Sequence, residues 1–121
     1  MAYTTINKHT TYFNSKLYTG TGSSNALTGI GFQPDLVWLK GRSNATWNWL
    51  TDSVRGNTKN LFSNSTQAEG TNADGITAFG TDGFTLGTNT DVNGNGNTFV
   101  SWNWKAGTTG SGSTTGTGTA K

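Results

Sequence analysis

The segment Gly83–Gly107, GFTLGTNTDVNGNGNTFVSWNWKAG, constrains this chain more than any other. Two short apolar runs, Phe84–Leu86 and Phe99–Trp104, flank a stretch rich in Asn and Gly. Asn and Gly tolerate the positive φ of tight strand reversals. Along the second run Val100, Trp102 and Trp104 fall on one face, with Phe99, Ser101, Asn103 and Lys105 on the other. That period of two belongs to a β-strand with one buried face. The tryptophan face is expected to be the inner one.

The same reading extends along the chain. Tyr12–Tyr18 forms a first strand, and Asp35–Arg42 the clearest one. In Asp35–Arg42 Val37 and Leu39 alternate with Leu36, Trp38 and Lys40. Both faces are partly apolar, the mark of a central strand covered on both sides. Thr46–Thr51 and Lys59–Ser63 are further strands. Ile76–Phe79 and Phe84–Leu86 form a hairpin across Gly80-Thr81-Asp82-Gly83. Asn64–Gly75 is a long polar loop, and Thr98–Lys105 the last strand. About seven short strands with turns at this spacing predict an all-β fold: an antiparallel two-layer β-sandwich of the jelly-roll or lectin-like kind. No window carries a helical period of useful length.

Composition limits how such a sandwich is filled. Of 121 residues only 31% are hydrophobic and 12% charged, yet 12% are aromatic, including five Trp and six Phe. So few aliphatic residues require large rings inside. Trp38, Phe84, Leu86, Val100 and Trp102 are expected to be substantially buried. The pairs Trp47/Trp49 and Trp102/Trp104 could stack on sugar rings, but core is the stronger reading for at least three of these four.

Candidate chemistry is sparse. There is no Cys, so thiol and disulfide chemistry are excluded. His9 is the single histidine and lies before the first strand, a poor platform for a positioned base. The six acids, Asp35, Asp52, Glu69, Asp74, Asp82 and Asp91, are spread out. Five lie at strand starts or in Gly/Asn turns, where Asp caps backbone amides. No catalytic residue and no cofactor is assigned. Asp91, Asn93 and Asn95, followed by Gly96, match the first half of a calcium loop, but Trp102 stands where the bidentate Glu belongs. They make a weak metal candidate beside the simpler reading of a hairpin turn. Arg55, in Asp52-Ser53-Val54-Arg55-Gly56, is expected to bond turn carbonyls or Asp52. Trp38, Trp102 and Trp104 complete the structural set.

Net charge is +2, and the cations are scattered rather than clustered, so a nucleic-acid partner is not expected. No segment has the length or apolarity of a membrane span or a secretory signal. Three parts are read: an arm over residues 1–10, a β domain over 11–106, and a Gly/Ser/Thr-rich tail or linker over 107–121.

The residues carry a family likeness. Gly31-Phe32-Gln33-Pro34-Asp35-Leu36-Val37-Trp38-Leu39-Lys40 comes first, then Asp52-Ser53-Val54-Arg55-Gly56 and Thr81-Asp82-Gly83-Phe84-Thr85-Leu86-Gly87. Asp91-Val92-Asn93 then leads to Ser101-Trp102-Asn103-Trp104-Lys105-Ala106-Gly107. This order resembles a domain of unknown function that recurs in virion proteins of tailed phages, many of them marine. The resemblance implies a lectin-like sandwich and a place on a phage particle. The expected function is a non-enzymatic virion surface protein, either head decoration or tail-fibre module, made in the host cytoplasm. Its partners would be capsid or tail proteins, in many copies of a symmetric assembly. The alternative is a carbohydrate-binding adhesin for a surface glycan. Attachment is expected through the termini, with Tyr3, Ile6, His9, Thr108, Thr114 and Lys121 as contact residues, because polar tails gain order by backbone bonds to a neighbouring chain.

Overall fold

A computed structural model describes residues 9–106. After a 3-10 turn at His9–Thr11 come nine strands. These are β1 (Phe13–Thr19), β2 (Asn25–Leu27), β3 (Leu36–Gly41), β4 (Trp49–Asp52), β5 (Lys59–Phe62), β6 (Gly70–Thr71), β7 (Ile76–Gly80), β8 (Gly83–Leu86) and β9 (Thr98–Trp104). One helical turn, α1 (Thr90–Asn93), precedes β9. The strands make two antiparallel sheets, one of six strands in the order β1-β9-β3-β4-β5-β6 and one of three in the order β2-β8-β7. The sheets pack against each other, so the chain is an all-β sandwich.

The core lies between the sheets. Val37 and Leu39 of β3, Trp49 of β4, Phe99 of β9, and Phe84 and Leu86 of β8 meet there. Tyr18 of β1 stacks on Phe99 with ring centroids 5.2 Å apart, and its phenol donates to the Val92 carbonyl at 2.6 Å. Burial pushes the Tyr18 phenol above its ordinary range. The β7–β8 hairpin turns through Thr81 and Asp82, with Gly80 opposite Gly83. Gly83 (φ 156°) is required, because a Cβ there would sit 1.9 Å from the Leu27 carbonyl oxygen.

Three expectations about the strands are corrected. The buried face of β9 is Phe99, Ser101 and Asn103, not Val100, Trp102 and Trp104, which are half-buried on the outer face. Period two fixes which residues share a face, not which face turns inward. Here most of the inner polar groups find partners, although Asn103 Oδ1 is buried without one among the described residues. The Asn103 amide donates to the Asn14 carbonyl and to Ser101 Oγ, both at 3.0 Å. Trp38 likewise is half-buried on the outside of β3, so of the expected core set only Phe84 and Leu86 are fully inside. β3 is central in the sheet, between β9 and β4, but its outer face is only half covered.

The Asn/Gly-rich stretch before β9 is not a hairpin. β8 and β9 belong to different sheets, and the segment crosses between them through α1. Asn89 caps α1, its side chain accepting from the Asp91 N–H at 3.0 Å. Within the long polar loop, β6 pairs with β5 through Asn60 and Gly70, a strand too short and too polar to show a period.

Candidate functional site

Two places on the described surface gather aromatic side chains. The first is the outer face of the six-stranded sheet. Cross-strand register sets Trp102 beside Trp38, and Trp104 beside both Leu36 and Phe13. Trp38 and Trp102 meet edge to face with centroids 5.5 Å apart, and Phe13 and Trp104 are 5.2 Å apart. Trp38, Trp102 and Trp104 line a shallow groove of about 230 Å³. The indole N–H of Trp38 donates to Asn48 Oδ1 at 3.2 Å, which fixes that ring. The face continues through Leu17, opposite Val100, and through Leu50 and Leu61. Leu17 is 62% exposed and Leu61 40%.

The second is a cleft of about 420 Å³ beside β4 and β5. Its aromatic wall is Trp47, Trp49 and Phe62; its polar rim includes Gln67, Thr71, Asn72, Asn89 and Asp91. Phe62 packs nearly perpendicular to both indoles, with ring centroids 4.8 Å from Trp47 and 5.2 Å from Trp49. Trp49 is 2% exposed, but Trp47 is 38% exposed. The Asn48 backbone between them is held at both ends, its N–H donating to Asn64 Oδ1 at 2.9 Å and its carbonyl accepting from Ser63 N–H at 3.2 Å. On the opposite rim Asn89 donates to both carboxylate oxygens of Asp74 at 3.2 Å. Among the described residues, the side chains of Gln67, Asn72 and Asp91 make no hydrogen bond, and the buried Trp49 Nε1 has no partner.

Other candidate residues fall elsewhere. Asp91, Asn93 and Asn95 do not converge on a cation. Asn93 is fully buried, and its Oδ1 accepts from the Thr21 N–H at 3.0 Å and from Asn25 Nδ2 at 3.1 Å. Its amide donates to the Ser23 and Gly87 carbonyls, both at 2.6 Å. Asn95 is exposed. Among the described residues no three His, Cys, Asp or Glu side chains gather as metal ligands.

Arg55 donates from Nε to Asp52 Oδ2 at 2.5 Å, and from its two terminal nitrogens to Glu69 Oε2 and the Leu50 carbonyl at 3.2 Å. Burial works against the charge on both partners. The hydrogen bonds and attraction between them outweigh it, so Asp52 is held below its ordinary range and Arg55 above. Asp82 accepts from the Gly29 and Gly31 N–H groups at 2.9 and 2.7 Å, and Asp35 from Ala106 N–H at 2.7 Å. These acids hold turns.

His9 is exposed in the 3-10 turn. Tyr3, Ile6, Thr108, Thr114 and Lys121 lie outside the described residues. The expectation that three of Trp47, Trp49, Trp102 and Trp104 are core is corrected, since only Trp49 is buried. Sequence reasoning passed over Phe62, Gln67 and Asn72, which join the cleft only because β5 and β6 fold back beside β4. No periodic signal marks them.

No curated protein and no solved structure matches the sequence. Residues 8–121 match a domain of unknown function (DUF7483), and the chain belongs to that family.

Proposed function

We propose that this chain is a non-enzymatic surface module of a tailed-phage virion, present in many copies and bound to capsid or tail proteins. The observation that supports it most directly is the outer tryptophan face. Trp38, Trp102 and Trp104 are neighbours in register, and all three remain partly open to solvent. Large aromatic side chains at the centre of a patch are the usual anchors of protein–protein contacts. The flanking Leu17 and Leu61 widen the apolar area beyond what scattered surface residues require. In a symmetric particle many weak contacts of this kind act together. The resemblance of the sequence to phage virion proteins suggests capsid or tail proteins as the partner, and the terminal arm and tail remain part of the proposed attachment.

The test is incorporation. Purified phage particles should contain the chain, detected by mass spectrometry and by antibody labelling of intact virions. A Trp102→Ser chain should fold yet reach particles at well below normal occupancy. Full occupancy would remove the tryptophan face from the attachment. Absence of the unaltered chain from purified particles would end the virion reading.

A further inference from the structure

We propose that the cleft bounded by Trp47, Phe62, Gln67, Asn72 and Asp91 binds a neutral glycan, with a pyranose ring stacked on the Trp47 indole. This goes beyond the virion reading and does not depend on it, because the cleft and the outer tryptophan groove share no lining residue.

The argument begins with Trp47. Trp47 is 38% exposed, although the chain is short of hydrophobic residues for its core. It is also held firmly. Phe62 packs against it at an interplanar angle of 86°, and the neighbouring Asn48 backbone is bonded on both sides. A rigid, exposed indole presents a flat, electron-rich face. Such a face attracts the weakly positive C–H groups that line one side of a pyranose ring, as it attracts the edge of another aromatic ring. Little conformational freedom is lost on binding, because the platform is fixed beforehand.

The rim supplies the second half of the chemistry. A sugar offers hydroxyl groups around its edge, each both donor and acceptor. Gln67 and Asn72 carry amides that can donate and accept, and Asp91 carries a carboxylate that accepts. None of these side chains is committed to a bond among the described residues. Asn89 is committed, to Asp74, and so it shapes the rim rather than reaching for a ligand. Trp49, which walls the cleft, has a buried indole N–H without a partner among the described residues. The volume of about 420 Å³ falls within the range of sites that hold small molecules.

Charge selects the class of sugar. The residues lining the cleft include one carboxylate and no Lys, Arg or His. A sulfated or uronic acid unit would meet the Asp91 carboxylate, a like-charge contact in a partly desolvated place, while the Lys59 ammonium stands outside the lining, donating to Thr71 Oγ1 at 2.8 Å. A neutral unit avoids that cost.

The experiment uses the full 121-residue chain and four neutral oligosaccharides, namely maltohexaose, laminarihexaose, mannohexaose and neoagarohexaose, with an alginate hexamer as the anionic comparison. Indole N–H resonances are followed during titration. The expected result is saturable movement of the Trp47 resonance with at least one neutral probe, at a Kd near the millimolar range. Trp47→Ala should weaken that binding by at least about tenfold. Gln67→Ala and Asn72→Ala, which leave the aromatic packing intact, should each weaken it several-fold. Val54→Ser, in an 88% exposed turn position away from the cleft, should leave it unchanged. The proposal is overturned if no neutral probe moves the Trp47 resonance at about 10 mM, well above a millimolar Kd. It is equally overturned if binding survives Trp47→Ala in a folded chain, or if alginate binds as well as the best neutral probe.

Discussion

Trp38 and Trp102 stand directly opposite each other on adjacent strands, their rings 5.5 Å apart at 63°, on the solvent side of the six-stranded sheet. Cross-strand aromatic pairs of this geometry are worth roughly 0.5–1.5 kcal/mol beyond the area they bury. A double-mutant cycle with Trp38→Ala and Trp102→Ala, read by urea unfolding, should return a coupling of that size. A coupling near zero would mean that the two rings are held independently and the groove between them is not pre-formed.

Arg55 ties β4 to the chain just before β6, bonding Asp52 and the Leu50 carbonyl on one side and Glu69 on the other. Lys keeps the charge but has no planar fork to reach all three. Arg55→Lys should therefore destabilise the domain by about 1 kcal/mol, the net worth of a hydrogen bond. In a domain of this size that is a fall in Tm of roughly 4–8 °C. The pair is only partly enclosed, with Arg55 25% and Asp52 23% exposed in their side chains, so salt should reduce the difference. An Arg55→Lys chain that melts with the parent would show that the fork adds nothing to stability.

How far the sequence could be read is clearest in β9. Its boundaries and alternation are plain in the residues, and so is the hairpin at Gly80–Gly83. Its facing is not. Hydrophobicity favours Val100, Trp102 and Trp104 inside, yet the structure turns Phe99, Ser101 and Asn103 inward. Ser101 and the amide nitrogen of Asn103 are tolerated there because neighbouring strands and each other supply bond partners, and such pairings depend on register across the sheet. The cleft was illegible for a similar reason. Trp47 and Trp49 stand out as a pair, but Gln67 and Asn72 come from the aperiodic loop around β6. Only strand pairing at long range brings them to the indoles.

Asn93 has no room for a second role. Its amide links the Thr21–Asn25 turn to Gly87 from a fully buried position, with every polar atom engaged. Asn93→Ala strands several of those groups, at about 1–3 kcal/mol for each one left unpaired. Denaturant unfolding should show a loss of at least about 2 kcal/mol on that basis. Asn93→Asp should be no better, because a carboxylate would face the Ser23 and Gly87 carbonyls. Calcium at millimolar concentration should not raise the Tm of the unaltered chain. A calcium-dependent rise would show that the Asp91–Asn95 segment rearranges to release ligands.

Acid should loosen the loop that follows β2. The Asp82 carboxylate accepts the Gly29 and Gly31 N–H groups, and these bonds, aided by the charge of Lys16, hold its pKa below the ordinary value. The native state thus binds this proton less readily than the unfolded chain. The stability it contributes is present above the unfolded value of about 3.9 and is lost as pH falls through the lower native one. Asp52 works in the same direction. Urea unfolding as a function of pH should show stability declining below about pH 4. Asp82→Asn should be less stable at neutral pH and less sensitive to acid. An unchanged acid slope in that variant would assign the decline to other carboxylates.

The point where the described chain leaves the sandwich sets the last prediction. Lys105 N–H donates to the Tyr12 carbonyl and Ala106 N–H to Asp35 Oδ2, at 2.8 and 2.7 Å. These two bonds fasten the end of β9 to the chain just before β1 and to the loop before β3. Among the described residues, nothing in the buried core lies beyond Phe99 in sequence apart from Ser101 and Asn103. A chain ending at Ala106 keeps both bonds and every described core residue, and its Tm should match that of the full chain within a few degrees. A chain ending at Asn103 loses Trp104 from its contact with Phe13, the two fastening bonds, and the last pairing of β9 with β1 and β3. That truncation should unfold or melt far lower. If the Ala106 chain already fails to fold, residues 107–121 contribute to the domain itself. If it folds but no longer enters virions, those residues serve attachment, and the tryptophan face alone is not enough to hold the protein in place.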